Sequence, residues 1–257
     1  MIPLQIDGID VKIGQKTILK QVTFDIHKGD FFGLIGPNGS GKSTLLKTIA
    51  SLQEAQDGTV KIHNLSQTTF SNKELAKQIS YVPQETVVGF DFKAIDIVRM
   101  GRHVYSSLFK SDTKEDEAIV HWALEQTGTL HLKEQSIQSL SGGQGQLIMI
   151  AKALAQDTPI ILLDEPISAL DVYYQLKVLT MLQSLCEQGK TIIIVLHDLN
   201  LASRFCNKLL LLNDGSVQKI GIPEEVLTEA LLNEIYHINS YIEKNNYTDC
   251  VSVTPFL

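Results

Sequence analysis

Hydrophobic positions change period twice along the chain. In the first 28 residues they alternate: Leu4, Ile6, Ile9, Val11 and Ile13, then Ile18, Leu19, Val22, Phe24 and Ile26. Alternation of this kind predicts an antiparallel β layer. Turns are expected at Asp7-Gly8 and at Ile13-Gly14-Gln15-Lys16. Phe31–Ile35 is an unbroken apolar run behind Gly29-Asp30, the pattern of a strand buried on both faces. A helix over Leu45–Ala50, a strand over Thr59–Ile62, a short helix over Glu74–Gln78 and a strand over Ile79–Val82 follow. From residue 85 to 155 the period becomes helical. One helix begins around Ile95, Ile97 and Val98 and ends near Gly101. A second runs from Glu115 to Thr127, with Ile119, Trp122, Ala123 and Leu124 on its apolar side and Gly128 as its C-cap. A third covers Leu147–Leu154. Short apolar runs then return at Ile160–Leu163, Thr191–Leu196 and Leu209–Leu212. Helices are expected between and after them: Gln175–Glu187, Leu199–Phe205, Pro223–Leu227 and Ala230–Tyr236.

Strands alternating with helices predict an α/β fold with a mostly parallel sheet. The divisions are residues 1–84 and 156–240 as a core with its β layer, 85–155 as a helical insertion, and 241–257 as a tail. The tail reads either as a hairpin about Asn245-Asn246 or as a frayed end.

Composition changes this picture little. The chain has 257 residues, 44% hydrophobic and 20% charged, which suits one large α/β domain. A net charge of −7 weighs against a nucleic-acid partner. Cys186, Cys206 and Cys250 lack metal or disulfide spacing and read as buried thiols in a reducing compartment. Residues 1–7 have neither the basic nor the apolar run of a secretory leader. No apolar run approaches the ~18 residues that cross a bilayer, so a membrane role would come through a partner.

The chemistry centres on Gly36-Pro37-Asn38-Gly39-Ser40-Gly41-Lys42-Ser43-Thr44, between a predicted strand and a predicted helix. Glycines let the backbone turn its N–H groups inward, and the helix N-terminus adds partial positive charge. Together they form a phosphate cradle, the P-loop. Lys42 is positioned to reach the β- and γ-phosphates of a nucleotide and Ser43 to hold Mg2+. Asp164 and Glu165 close the Ile160–Leu163 strand. There Asp164 suits the metal, and Glu165 can orient or deprotonate an attacking water. Leu140-Ser141-Gly142-Gly143-Gln144 is a second serine-glycine turn before a helix, hence either a second anion site or a flexible cap. His197, after the Thr191–Leu196 strand, can bond a γ-phosphate or be a structural histidine; Gln84 can be a ligand or loop surface.

These segments resemble the ATPase subunit of ATP-binding cassette (ABC) transporters over about residues 3–240: GPNGSGKST (36–44), Gln84, LSGGQ (140–144), ILLDEP (161–166), SALD (168–171) and His197. The resemblance implies a homodimer paired head to tail, with ATP between Lys42 of one copy and Ser141 of the other. It implies that Gln84 senses Mg2+ and the attacking water while touching a multi-span membrane permease. It makes Glu165 the catalytic carboxylate, has His197 stabilise the γ-phosphate, and has Asp171 organise the dimer seam. Phe90 and Phe92 either line a groove for a permease helix or pack in the core. MGRHVYSSLF (100–109) and residues 195–217 look like the branch importing iron-siderophores, haem or cobalamin. That branch implies a solute-binding protein further out and a location on the cytoplasmic face of the membrane. A soluble ABC ATPase of iron–sulfur assembly shares the same motifs and stays open as an alternative. Three positions depart from the family pattern: Ile13 where an adenine-stacking aromatic is usual, Gly145 where Arg or Lys is usual, and Ile167 where Thr is usual. Ile13 predicts weaker base discrimination, or a ring supplied from elsewhere such as Phe24.

Overall fold

The computed structural model describes residues 3–84, 90–106 and 113–256. The chain folds as two compact units, Met1–Thr69 with Leu185–Leu257, and Phe70–Ser184. In chain order the strands are β1 (Leu4–Ile13), β2 (Lys16–Ile26), β3 (Phe31–Ile35), β4 (Asp57–Ile62), β5 (Leu65–Ser66), β6 (Ile79–Val82), β7 (Ile160–Asp164), β8 (Thr191–Val195), β9 (Lys208–Asn213), β10 (Ser216–Gly221), β11 (Asn239–Lys244) and β12 (Val251–Phe256). The α-helices are α1 (Lys42–Ile49), α2 (Asn72–Leu75), α3 (Ala94–Arg99), α4 (Lys114–Thr127), α5 (Gly142–Ala155), α6 (Val172–Glu187), α7 (Leu199–Phe205), α8 (Pro223–Val226) and α9 (Glu229–Tyr236).

In the first unit β2-β1-β4-β5 form the expected antiparallel layer. Asp7-Gly8 is not a turn: β1 runs through it, and Gly8, with φ of 61°, sits where the β1–β2 and β1–β4 registers shift. A bulge absorbs the glycine and lets the strand continue. β3 lies between β8 and β9, parallel to both, and β10 closes antiparallel on β9. Every residue of β3 and β8 is buried, which is why both read as unbroken apolar runs. The tail is a hairpin, with β11 and β12 in register from Asn239↔Phe256 to Lys244↔Val251.

In the second unit β6 and β7 pair in parallel from Ile79↔Ile160 to Val82↔Leu163. Three helix boundaries or faces differ from expectation. The short helix is Asn72–Leu75, started by a Ser71/Glu74 capping box. α4 buries Val120, Ala123, Leu124 and Thr127, so its inner stripe is turned from the expected one; Ile119 is only half-buried and Trp122 is exposed. α5 begins at Gly142, five residues before the apolar run at Leu147, because Ser141 and Gln144 cap it reciprocally. Among the described residues no helix is long and apolar enough to cross a membrane.

Candidate functional site

The phosphate cradle belongs to the first unit. β3 delivers the chain to Gly36, whose φ is 145° and where a Cβ would stand 2.0 Å from the Leu212 carbonyl oxygen on β9. Only glycine fits there. The loop then turns so that Lys42 opens α1, with the left-handed Gly41 as N-cap and no side-chain cap. A helix that starts on the loop puts the positive end of its dipole there, which favours an anion. Lys42 is buried, and its Nζ donates to the carbonyls of Gly36 and Pro37 at 2.8 Å each, which lays the ammonium back over the loop. The Ser40 backbone carbonyl accepts from Gly215 N–H at 3.1 Å, while its buried hydroxyl has no hydrogen-bond partner among the described residues. His197 lies exposed at the turn from β8 into α7, and the next residue, Asp198, caps α7 through Asn200 and Leu201 N–H at 2.8 and 2.9 Å.

The second unit holds the other expected residues. Asp164 is the buried last residue of β7. Its Oδ2 accepts from the Tyr81 hydroxyl on β6 at 3.3 Å. Burial, and then the Asp164 charge, raise the Tyr81 phenol well above its ordinary range, so Tyr81 stays a donor. Glu165 adopts left-handed backbone, φ 49°, which a non-glycine residue adopts only at a cost. This turn presents its carboxylate to Gln84, whose Nε2 donates to Glu165 Oε2 at 2.8 Å. Gln84 is therefore more than loop surface: it binds the carboxylate expected to act on water. Sequence reasoning missed Tyr81, because nothing in the spacing marks a tyrosine on the adjacent strand, 83 residues before Asp164.

The serine-glycine turn is a capped helix start. Ser141 Oγ accepts from Gln144 N–H at 3.3 Å and Gln144 Oε1 accepts from Ser141 N–H at 3.0 Å. This gives Gln144 a physical reason, and the Ser-x-x-Gln spacing was the signal that could have revealed it. Asp171 accepts from Tyr174 N–H at 3.1 Å at the head of α6. Ser141, Gly143, Gln144, Leu170, Asp171 and Tyr174 help line a cavity of about 440 Å3. The structure thus joins Gln84 with Glu165, and Ser141–Gln144 with Asp171.

Phe24 is not a substitute adenine platform. Its ring is buried and stacked on Phe32, centroids 5.6 Å apart and planes 7° from parallel. Ile13 is 52% exposed at the end of β1. Residues 85–89, the first part of the expected permease-facing run, lie outside the described residues. Phe90 is 74% exposed, with its ring edge-on to Phe92, 6.2 Å between centroids, so Phe90 is not a core residue.

A glycine cradle between a buried parallel strand and a helix defines the class: this is the P-loop nucleotide triphosphatase fold. The family described as "ABC transporter" matches residues 19–168. The chain is 38% identical over 240 residues to the iron(3+)-hydroxamate import ATP-binding protein of Bacillus subtilis (strain 168), covering 93% of this chain and 89% of that protein. It is 36% identical over 253 residues to the cobalamin import ATP-binding protein of Halobacterium salinarum, covering 98% of this chain but 63% of that protein's length. Among solved structures it resembles a metal-chelate type ABC transporter in an inward-facing conformation, at 31% identity and a TM-score of 0.85, covering 100% of this chain and 98% of that one. It also resembles a dimeric bacterial ABC transporter cassette, at 30% identity and a TM-score of 0.77, covering 86% and 98%. The chain belongs to the ABC transporter family.

Proposed function

We propose that this chain is the Mg2+-dependent ATPase subunit of an ABC importer, coupled through separate permease subunits to uptake of iron-siderophore, haem or cobalamin-type solutes. The observation that carries it is the Gln84–Glu165 hydrogen bond at the left-handed turn ending β7. A carboxylate held there suits a general base for water. Lys42 and the α1 N–H groups bind the β- and γ-phosphates, and His197 meets the γ-phosphate. Ser43, Gln84 and Asp164 offer hydroxyl, amide-carbonyl and carboxylate oxygens, the hard donor set Mg2+ prefers. When bound there, the ion neutralises charge developing on the phosphate oxygens.

In this reading residues 36–44 bind ATP in one copy, and Ser141, Gly142, Gly143 and Gln144 of a second copy complete the site, with Asp171 at the seam. The open cavity beside Ser141 and Asp171 supports an outward-facing signature. Residues 85–155 form the helical subdomain that meets the permease through exposed side chains such as Phe90, and 1–84 with 156–240 form the catalytic core. The homodimer sits on the cytoplasmic face of the membrane, reaches a solute-binding protein only through the permease, and has no nucleic-acid partner. Import, and these solutes rather than iron–sulfur assembly, are supported by the names of both relatives above.

The test is Glu165→Gln. The variant is expected to bind ATP and dimerise in its presence while losing at least ~100-fold in turnover. Wild-type turnover in the variant would remove Glu165 from the chemistry. In parallel, Lys42→Ala must weaken ATP binding if the cradle works as described.

A further inference from the structure

Tyr81 and Asp164 stand on neighbouring strands of the second unit. β6 and β7 run parallel, with Tyr81 opposite Leu162 and Val82 opposite Leu163. Side chains alternate faces along a strand, so Tyr81, Leu162 and Asp164 share one face of the pair, with Tyr81 diagonal to Asp164. A phenol spans that diagonal, and its hydroxyl donates to Asp164 Oδ2 at 3.3 Å. Asp164 is buried and Tyr81 half-buried. A carboxylate turns broadly about the bond that carries it, and a fixed donor on one oxygen narrows that turn. Just past the end of β6, Gln84 does the same for Glu165, donating at 2.8 Å. Both carboxylates of the acidic pair are thus held from one segment of chain. No sequence motif uses Tyr81.

We propose that Tyr81 is a metal-positioning residue, whose hydroxyl fixes the Asp164 carboxylate for Mg2+. The proposal rests on the ATPase reading above, in which Asp164 is one of the hard oxygen donors that suit the ion. Tyr81 acts through Asp164, as the outer partners of metal ligands do. Loss of the hydroxyl is therefore felt in metal binding and little in the binding of bare nucleotide. A merely structural tyrosine would disturb both alike or neither.

The experiment uses the full chain, a β,γ-imido analogue of ATP, and Mn2+ as the probe of the Mg2+ site. Free Mn2+ is counted by electron paramagnetic resonance with protein in excess over analogue, and analogue affinity is measured separately in EDTA. Tyr81→Phe removes one hydroxyl and keeps the ring, so it is expected to fold; nucleotide-free thermal unfolding checks this. It should weaken Mn2+ binding about tenfold, with the metal-free analogue Kd within about twofold of wild type. The Mg2+ concentration for half-maximal turnover should rise by about the same factor. Asp164→Asn supplies a second background, in which Tyr81→Phe should change Mn2+ affinity less than about twofold because the group it acts through is gone. Unchanged Mn2+ affinity in Tyr81→Phe overturns the proposal. So does an equal loss of metal-free analogue binding, or a full effect that persists beside Asp164→Asn. Failure of the ATPase reading looks different: the wild-type chain itself would bind neither the analogue nor Mn2+ with it.

Discussion

Gly145→Ala is expected to stabilise the protein, and the structure sets the size of the gain. Gly145 lies in the first turn of α5, with its N–H already donating to the Ser141 carbonyl at 2.8 Å. A Cβ built there meets nothing within 4 Å, so neither packing nor backbone geometry calls for glycine. The substitution therefore removes only the helix penalty of glycine, ~0.8–1.0 kcal/mol, with no burial to add. For a chain of this length that is a rise of about 2 °C in Tm. Gly143→Ala is the internal control. It sits in the same helical turn, but its Cβ would stand 2.9 Å from the Ala169 carbonyl oxygen and 3.2 Å from Leu170 Cδ2. The same propensity gain is there outweighed by a collision with backbone, and Tm should fall. Thermal and urea unfolding of the two variants beside wild type decide the matter. An unchanged or lower midpoint for Gly145→Ala, or an equal rise for Gly143→Ala, would refute the account of which glycine is structural.

Two further outcomes can be measured. Ile13→Tyr adds a π face at an exposed position and should tighten ATP binding about fivefold, ~1 kcal/mol of stacking, while widening ATP-over-GTP preference; unchanged titrations with both nucleotides would exclude Ile13 from the base site. The Thr113 hydroxyl, followed by the Arg102 guanidinium at 2.8 Å, holds Asp116 down at about 2. A depressed folded value means stability present above the unfolded pKa, near 4, and lost as pH falls toward 2. Asp116→Asn should cost about 2 kcal/mol at pH 7 and only a small part of that at pH 2; a cost that stays constant across that range would mean packing, not charge, is responsible.

The fold was legible where one force dominates. Runs such as Phe31–Ile35 and Thr191–Leu196 are apolar because both faces are covered, and they fall where β3 and β8 stand. The cradle was legible because its chemistry needs glycines and a lysine in a fixed order. Three features were not, each for a separate reason. Apolar periodicity cannot see a helix start made of Ser141 and Gln144, which is set by capping bonds and not by burial. The inner face of α4 was misjudged at Trp122 because a large ring on a helix counts as apolar whether or not it finds a wall. Phe24 was offered as an adenine platform although its alternation with Val22 and Ile26 already placed it inside, where Phe32 covers it. Pairings across long sequence separations, such as Tyr81 with Asp164 and Asn200 with Val253, leave no local trace at all.

The positive φ of Glu165 has a consequence for anyone engineering this chain. Glycine or asparagine would rest more comfortably in that backbone, by roughly 1 kcal/mol. A library ranked on heat resistance alone would therefore enrich Glu165→Gly and Glu165→Asn among its best survivors. With Glu165 in its proposed role, those winners would be sturdier proteins that no longer turn over ATP, so any selection for robustness has to read hydrolysis in the same well.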